Sequence, residues 1–174
     1  TNMKNLSNQI MGMFKQFDNK IILDKAPLNF RWIGFIKMLF PNSKIIHCKR
    51  DLKDTALSIY KNVFDGGSLP WSYNQENLLK FVKMYDDLMQ FWHEKLPGEI
   101  YDCHYEKLVN HQIEETKKLI KFCNLPWEEN CIDYTKNDTG IKTVSISQAR
   151  KPIYKTSVKL SDKYIDYLDF LKNI

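Results

Sequence analysis

The run Ser43 to Cys48 (SKIIHC) passes directly into Lys49-Arg50-Asp51 and then into a helical pattern. A short apolar strand that hands over to a helix within three residues leaves few ways to continue the chain. The same alternation recurs on both sides of it. Lys20 to Asp24 (KIILD) reads as a buried strand. Pro27 then opens a helix, where proline is tolerated, with Leu28, Trp32, Phe35, Ile36 and Leu39 at helical spacing and a stop before Pro41. Asp51 is placed to cap a helix that runs to about Phe64, and Asp65-Gly66-Gly67-Ser68 breaks it. Glu99 to His104 is a third strand, followed by a helix over Glu106 to Cys123 that Asn124-Leu125-Pro126 ends.

Three further segments complete the pattern. Residues 2–16 read as a helix with Leu6, Ile10, Met13 and Phe14 on one side. A longer amphipathic helix carries Leu78, Phe81, Val82, Tyr85, Leu88, Met89 and Trp92 and ends at Pro97-Gly98. Asn137 to Tyr154 has no clear period and reads as a covering or functional loop, and a last helix is predicted over about Ser157 to Leu171. Short strands separated by helices imply right-handed crossovers and a parallel sheet covered on both faces, an α/β fold. Ligands in such sheets sit at the carboxyl ends of the strands. That rule points to Asp24-Lys25, His47 to Asp51, and Cys103 to Glu106.

Composition narrows the class further. The 174 residues are 43% hydrophobic and 27% charged, which suits one globular domain rather than two or a disordered chain. No run approaches the ~18 apolar residues a membrane span needs, and Thr1-Asn2-Met3-Lys4 has no apolar signal core. The net charge of +5 is compatible with anionic partners and equally with an ordinary lysine-rich surface. Cys48, Cys103, Cys123 and Cys131 form no CxxC pair. They read as reduced thiols, so a cytoplasmic location is expected.

The second strand end carries the clearest chemistry. A basic cluster beside a helix N-terminus is a natural anion site. Ser58 lies on the same helix face as Asp51, about 10 Å along the axis. Arg50 and Ser58 could therefore hold one phosphate from two sides, the planar guanidinium giving two parallel hydrogen bonds. Taken alone, Arg50 serves equally as a partner of Asp51 or Asp54, and Ser58 as a plain surface residue.

Context favours the first alternative. Asp24-Lys25-Ala26-Pro27-Leu28-Asn29-Phe30, Leu39 to Asp51 (LFPNSKIIHCKRD) and Asp54 to Tyr60 (DTALSIY) together resemble the sulfotransferase superfamily. The likeness is to the branch often fused to tetratricopeptide repeats and related to protein-tyrosine sulfotransferases. Tyr105 to Val109, Phe122 to Glu128 and Ser145 to Tyr154 agree with it in order and spacing.

The resemblance implies a P-loop nucleotide kinase-like three-layer sandwich with a parallel sheet, incomplete at the N-terminus. Residues 1–174 would form a single partial domain, its 3′-phosphate-binding half. The implied activity is transfer of a sulfuryl group from 3′-phosphoadenosine-5′-phosphosulfate (PAPS) to a hydroxyl or amine acceptor on a protein, glycan or small molecule. Arg50 and Ser58 would bind the 3′-phosphate, Tyr105 would line the adenosine pocket, and Ser145 would lie in the loop over the nucleotide. Lys25 would stabilise charge on the bridging oxygen as the sulfuryl group leaves. No metal is required.

Two departures stand beside the likeness. The family's phosphate-binding loop, of the Pro-Arg-Ser-Gly-Thr-Thr type, has no counterpart here, and Gly66-Gly67 lies in the wrong place for it. Nothing in residues 1–24 supplies the family's His or Glu general base. The chain is therefore expected to be a fragment; a catalytically inactive nucleotide-binding relative is the alternative. After Pro152 the family has a basic residue followed by Trp, where this chain reads Leu160-Ser161, so Lys159 is the substitute basic contact.

Other readings are set aside on physical grounds. His47-Cys48 and Cys103-His104 together suggest a zinc site, but adjacent strand residues face opposite ways and each pair offers one inward ligand. A basic nucleic-acid-binding domain would show a basic stripe interleaved with aromatics, which is absent, so no nucleic-acid partner is expected. A protein-interaction domain would need a large exposed apolar face.

Overall fold

A computed structural model describes residues 2–14, 21–64, 69–133, 153 and 155–174. Six α-helices and two strands lie among them: α1 (Asn2–Phe14), α2 (Ile33–Leu39), β1 (Ile45–Lys49), α3 (Leu52–Tyr60), α4 (Gln75–Lys95), β2 (Ile100–His104), α5 (Tyr105–Asn110) and α6 (Gln112–Phe122). The architecture is helix-rich with a small parallel sheet in which β1 pairs with β2. No described helix is long and apolar enough to cross a membrane. The chain divides into two compact units: Thr1–Ile45 with Tyr85–Ile100, and Ile46–Met84 with Tyr101–Ile174.

The first unit packs around Ile33, Met89 and Ile100, with Phe30, Tyr85, Trp92 and Leu96 against them. Trp92 is fixed there by donating its Nε1–H to the Phe30 carbonyl at 2.8 Å. Phe30 meets Tyr85 edge to face, with ring centroids 5.1 Å apart, a favoured aromatic geometry. The helix opened by Pro27 begins as a 3-10 turn over Asn29–Trp32 before α2. Its buried residues are Ile33 and Leu39, while Trp32 and Phe35 face solvent. The strand expected over Lys20 to Asp24 is not formed among its described residues: 21–26 carries no ladder, and Ile21, Ile22 and Leu23 are exposed. A strand needs a hydrogen-bonding neighbour, and among the described residues β1 and β2 have only each other.

The second unit packs around Ala56, Leu57, Leu78, Val82, Phe170 and Leu171. Asp51 caps α3 as its position suggested, its Oδ1 accepting from the Asp54 amide at 2.9 Å. The helix ends at Tyr60, short of Phe64. Asn74 starts α4 by accepting from the Asn77 amide at 2.9 Å. The helix predicted over Glu106 to Cys123 is two helices. Asn110 takes the Glu106 carbonyl with its side-chain amide at 2.8 Å, and the backbone turns at His111 (φ −134°). The far end stops where expected, because Asn124 adopts φ 57°. Leu125 N–H then bonds the Ile120 carbonyl and Asn124 N–H the Lys121 carbonyl, a Schellman closure.

The helix expected over Ser157 to Leu171 is replaced by turns and two 3-10 segments, Ser161–Lys163 and Asp169–Asn173. Lys159 has φ 56°, which no α-helix accepts. The amides of Lys159 and Ser161 bond the Asp54 carboxylate at 2.8 and 2.7 Å instead of helical carbonyls. A charged acceptor held in the interior outcompetes a backbone carbonyl for these donors.

Candidate phosphate-binding site

β1 delivers Lys49-Arg50-Asp51 to the N-terminus of α3, and β2 delivers Tyr105-Glu106 to the start of α5. Glu106 ties the two places together, its Oε1 accepting from the Asp51 amide at 2.9 Å. The carboxyl ends of the paired strands thus adjoin, as a parallel sheet predicts.

Arg50 stands at this junction with 24% of its side chain exposed. Its Nη2 donates to the Ser157 carbonyl at 2.5 Å and lies 3.5 Å from Asp54 Oδ2. The guanidinium carbon sits 5.1 Å from the centroid of the Tyr105 ring, within cation–π range. Arg50 Nε is buried and has no hydrogen-bond partner among the described residues. A buried donor left unpaired costs about 1–3 kcal/mol, so this nitrogen is chemically suited to an anionic acceptor. One edge of the guanidinium is occupied by the protein's own oxygens, and Nε is not.

Asp54 is the residue that sequence reasoning reached only as a possible partner of Arg50. It is 1% exposed and accepts from the amides of both Lys159 and Ser161. Its position four residues after Arg50, in the first turn of a helix, was the available signal. Its hold on a segment more than a hundred residues away had none.

Of the residues the resemblance singled out, Arg50 and Lys159 meet at this carboxylate, Lys159 through its backbone while its side chain is exposed, and Tyr105 lies beside the Arg50 guanidinium. Ser58 stands half-buried on α3, one turn beyond Asp54, and its carbonyl accepts from Asn62. Lys25 is exposed in the first unit, where the neighbouring Asp24 accepts from Asn29 at 2.9 Å. Ser145 and the predicted covering loop lie outside the described residues, apart from Ile153.

The strands themselves are electrostatically committed. His47 Nδ1 is 2.7 Å from Asp102 Oδ1, and Lys49 Nζ is 3.8 Å from Asp102 Oδ2. On β2, burial pushes the Tyr101 phenol and the Cys103 thiol above their ordinary values, with Glu115 adding to the first and Cys48 to the second. A separate groove of about 550 Å³ is lined by Lys117, Ile120, Lys121, Asn124, Leu125 and Trp127. There Lys117 Nζ lies 5.1 Å from the Trp127 ring centroid.

The model of the sulfotransferase family matches residues 2–129. A protein of Aquifex aeolicus (strain VF5), named only as uncharacterized, is 37% identical over 149 residues, which is 84% of this chain and 20% of that protein. A protein-tyrosine sulfotransferase of Drosophila melanogaster is 24% identical over 143 residues, 77% of this chain and 28% of the relative. The chain thus spans less than a third of the length of either relative.

Proposed function

This chain belongs to the sulfotransferase family, and on that premise we propose that its Arg50 junction binds the 3′-phosphate of PAPS in a sulfuryl-transfer enzyme. The observation that carries the reading is the divided guanidinium, with Nη2 engaged by Ser157 and Asp54 and the buried Nε unpaired among the described residues. An arginine arranged this way at a strand–helix junction is suited to a phosphate oxygen.

PAPS would supply the sulfuryl group, leaving 3′,5′-adenosine bisphosphate when its sulfur–oxygen bond to the 5′-phosphate breaks. Arg50 fixes the 3′-phosphate with the Ser58 hydroxyl, and Tyr105 packs beside the adenosine. Ser145 and Lys159 add contacts from the C-terminal segment. Lys25 neutralises charge on the departing phosphate oxygen. The acceptor is a hydroxyl or amine; the name of the Drosophila relative makes a tyrosine hydroxyl the first to try. The proposed fold of the domain to which residues 1–174 contribute is the three-layer P-loop kinase-like sandwich.

The test is calorimetric titration of the chain with 3′,5′-adenosine bisphosphate and with adenosine 5′-monophosphate. The bisphosphate is expected to bind more tightly, and Arg50→Ala to lose about 10–100-fold of that affinity, the worth of a charge-assisted hydrogen bond. Equal affinity for the two nucleotides in a chain folded by circular dichroism refutes the reading.

A further inference from the structure

We infer that Asp54 is the positioning residue for phosphate recognition, setting which edge of the Arg50 guanidinium is offered to the ligand. The inference rests on the reading of Arg50 as a phosphate-binding residue and goes beyond it.

The geometry is specific. Asp54 Oδ2 receives the Lys159 amide at 2.8 Å and faces Arg50 Nη2 at 3.5 Å. Oδ1 receives the Ser161 amide at 2.7 Å. Through these bonds Asp54 anchors the segment whose Ser157 carbonyl takes Arg50 Nη2. The same carboxylate therefore acts on the guanidinium twice, directly and through the segment it holds. Both contacts fall on Nη2, and neither uses Nε. Tyr105 sits beside the guanidinium, its ring centroid 5.1 Å from the central carbon, and further restricts it. A planar fork held at one nitrogen and beside one ring has little freedom to turn, so its remaining donors are presented in a set direction.

Charge alone predicts the opposite effect. A carboxylate beside an anion site repels the anion, so replacing Asp54 by a neutral residue would tighten phosphate binding if orientation did not matter. The positioning role predicts weakening. Asn is a demanding substitute, because its NH2 group faces donors where a carboxylate oxygen accepted.

The experiment compares bisphosphate with 5′-monophosphate affinity in the unmodified chain, Arg50→Ala, Asp54→Asn and the double variant. Asp54→Asn is expected to lose roughly tenfold or more of the preference for bisphosphate while holding monophosphate affinity, and to add nothing in the Arg50→Ala background. Should Asp54→Asn fail to fold, Asp54→Glu keeps the charge but displaces both oxygens by one methylene, and the same loss of preference is expected. A preference that is unchanged or increased while Arg50→Ala abolishes it overturns the positioning role alone. An equal loss for both nucleotides makes Asp54 merely structural and also overturns it. An unmodified chain without any preference removes the phosphate reading itself, and this inference with it.

Discussion

Trp92 closes over Gly34 so tightly that a methyl group on that glycine would lie 2.6 Å from the indole Cη2 and 2.8 Å from Cζ3. The indole cannot easily retreat, because its Nε1–H is bonded to the Phe30 carbonyl. Gly34 sits inside α2, where alanine would otherwise gain about 1 kcal/mol of helix propensity. Overpacking costs about 1–3 kcal/mol. Gly34→Ala is therefore expected to destabilise the protein, by up to about 2 kcal/mol, in urea unfolding. A variant more stable than the parent would show that the contact is slack.

Lys37 places its ammonium against three oxygens: Pro41 O at 2.7 Å, Ser43 O at 3.0 Å and Glu99 Oε2 at 2.8 Å. It joins the end of α2, the turn before β1 and the approach to β2. Lys37→Met is expected to lower the thermal midpoint by roughly 2–4 °C. The Lys37 hydrogen bond, then its charge, holds the Glu99 carboxyl below its ordinary 4.5. A carboxylate depressed on folding stabilises above its unfolded value and loses that contribution as pH falls through its folded value. The gap between parent and Lys37→Met should thus be constant from neutral pH to about 5 and narrow in stronger acid. Melts across that range check it; a gap that widens in acid contradicts the assignment.

Asn124 holds a left-handed φ of 57° at the end of α6. Asn tolerates this conformation better than a residue with an unbranched apolar side chain, and glycine better still. Asn124→Ala should cost about 1 kcal/mol and Asn124→Gly should be neutral or stabilising. Chemical denaturation of the pair separates them, and equal effects would argue against the left-handed stop.

The cysteines should differ in reactivity. Cys48 is exposed on β1, whereas Cys103 is buried on β2 and its thiol is pushed up by that burial. The thiolate is the reactive species. Iodoacetamide at neutral pH, followed by peptide mass spectrometry, should label Cys48 well before Cys103, and denaturant should remove much of the difference. Early labelling of Cys103 in the native chain would contradict its burial.

Much of this protein was legible from local pattern. The apolar spacing from Leu78 to Trp92 marks α4, Asp51 marks the start of α3, and Asn124 with Pro126 marks the end of α6. Each follows from interactions that span four residues or fewer, where side-chain spacing and turn chemistry decide the outcome. The Arg50 motif and its family likeness were legible for the same reason: the strand end and the helix start are contiguous. Two features were decided only in three dimensions. Ile21 to Leu23 has the composition of a buried strand, yet burial depends on a neighbour that the run itself does not specify, and these residues are exposed. The segment after Ser157 has apolar residues at helix-compatible positions, but Asp54, 107 residues before Ser161, takes the amides a helix would need. No local pattern carries that information, because a buried carboxylate reaches its donors through the folded chain and not along it.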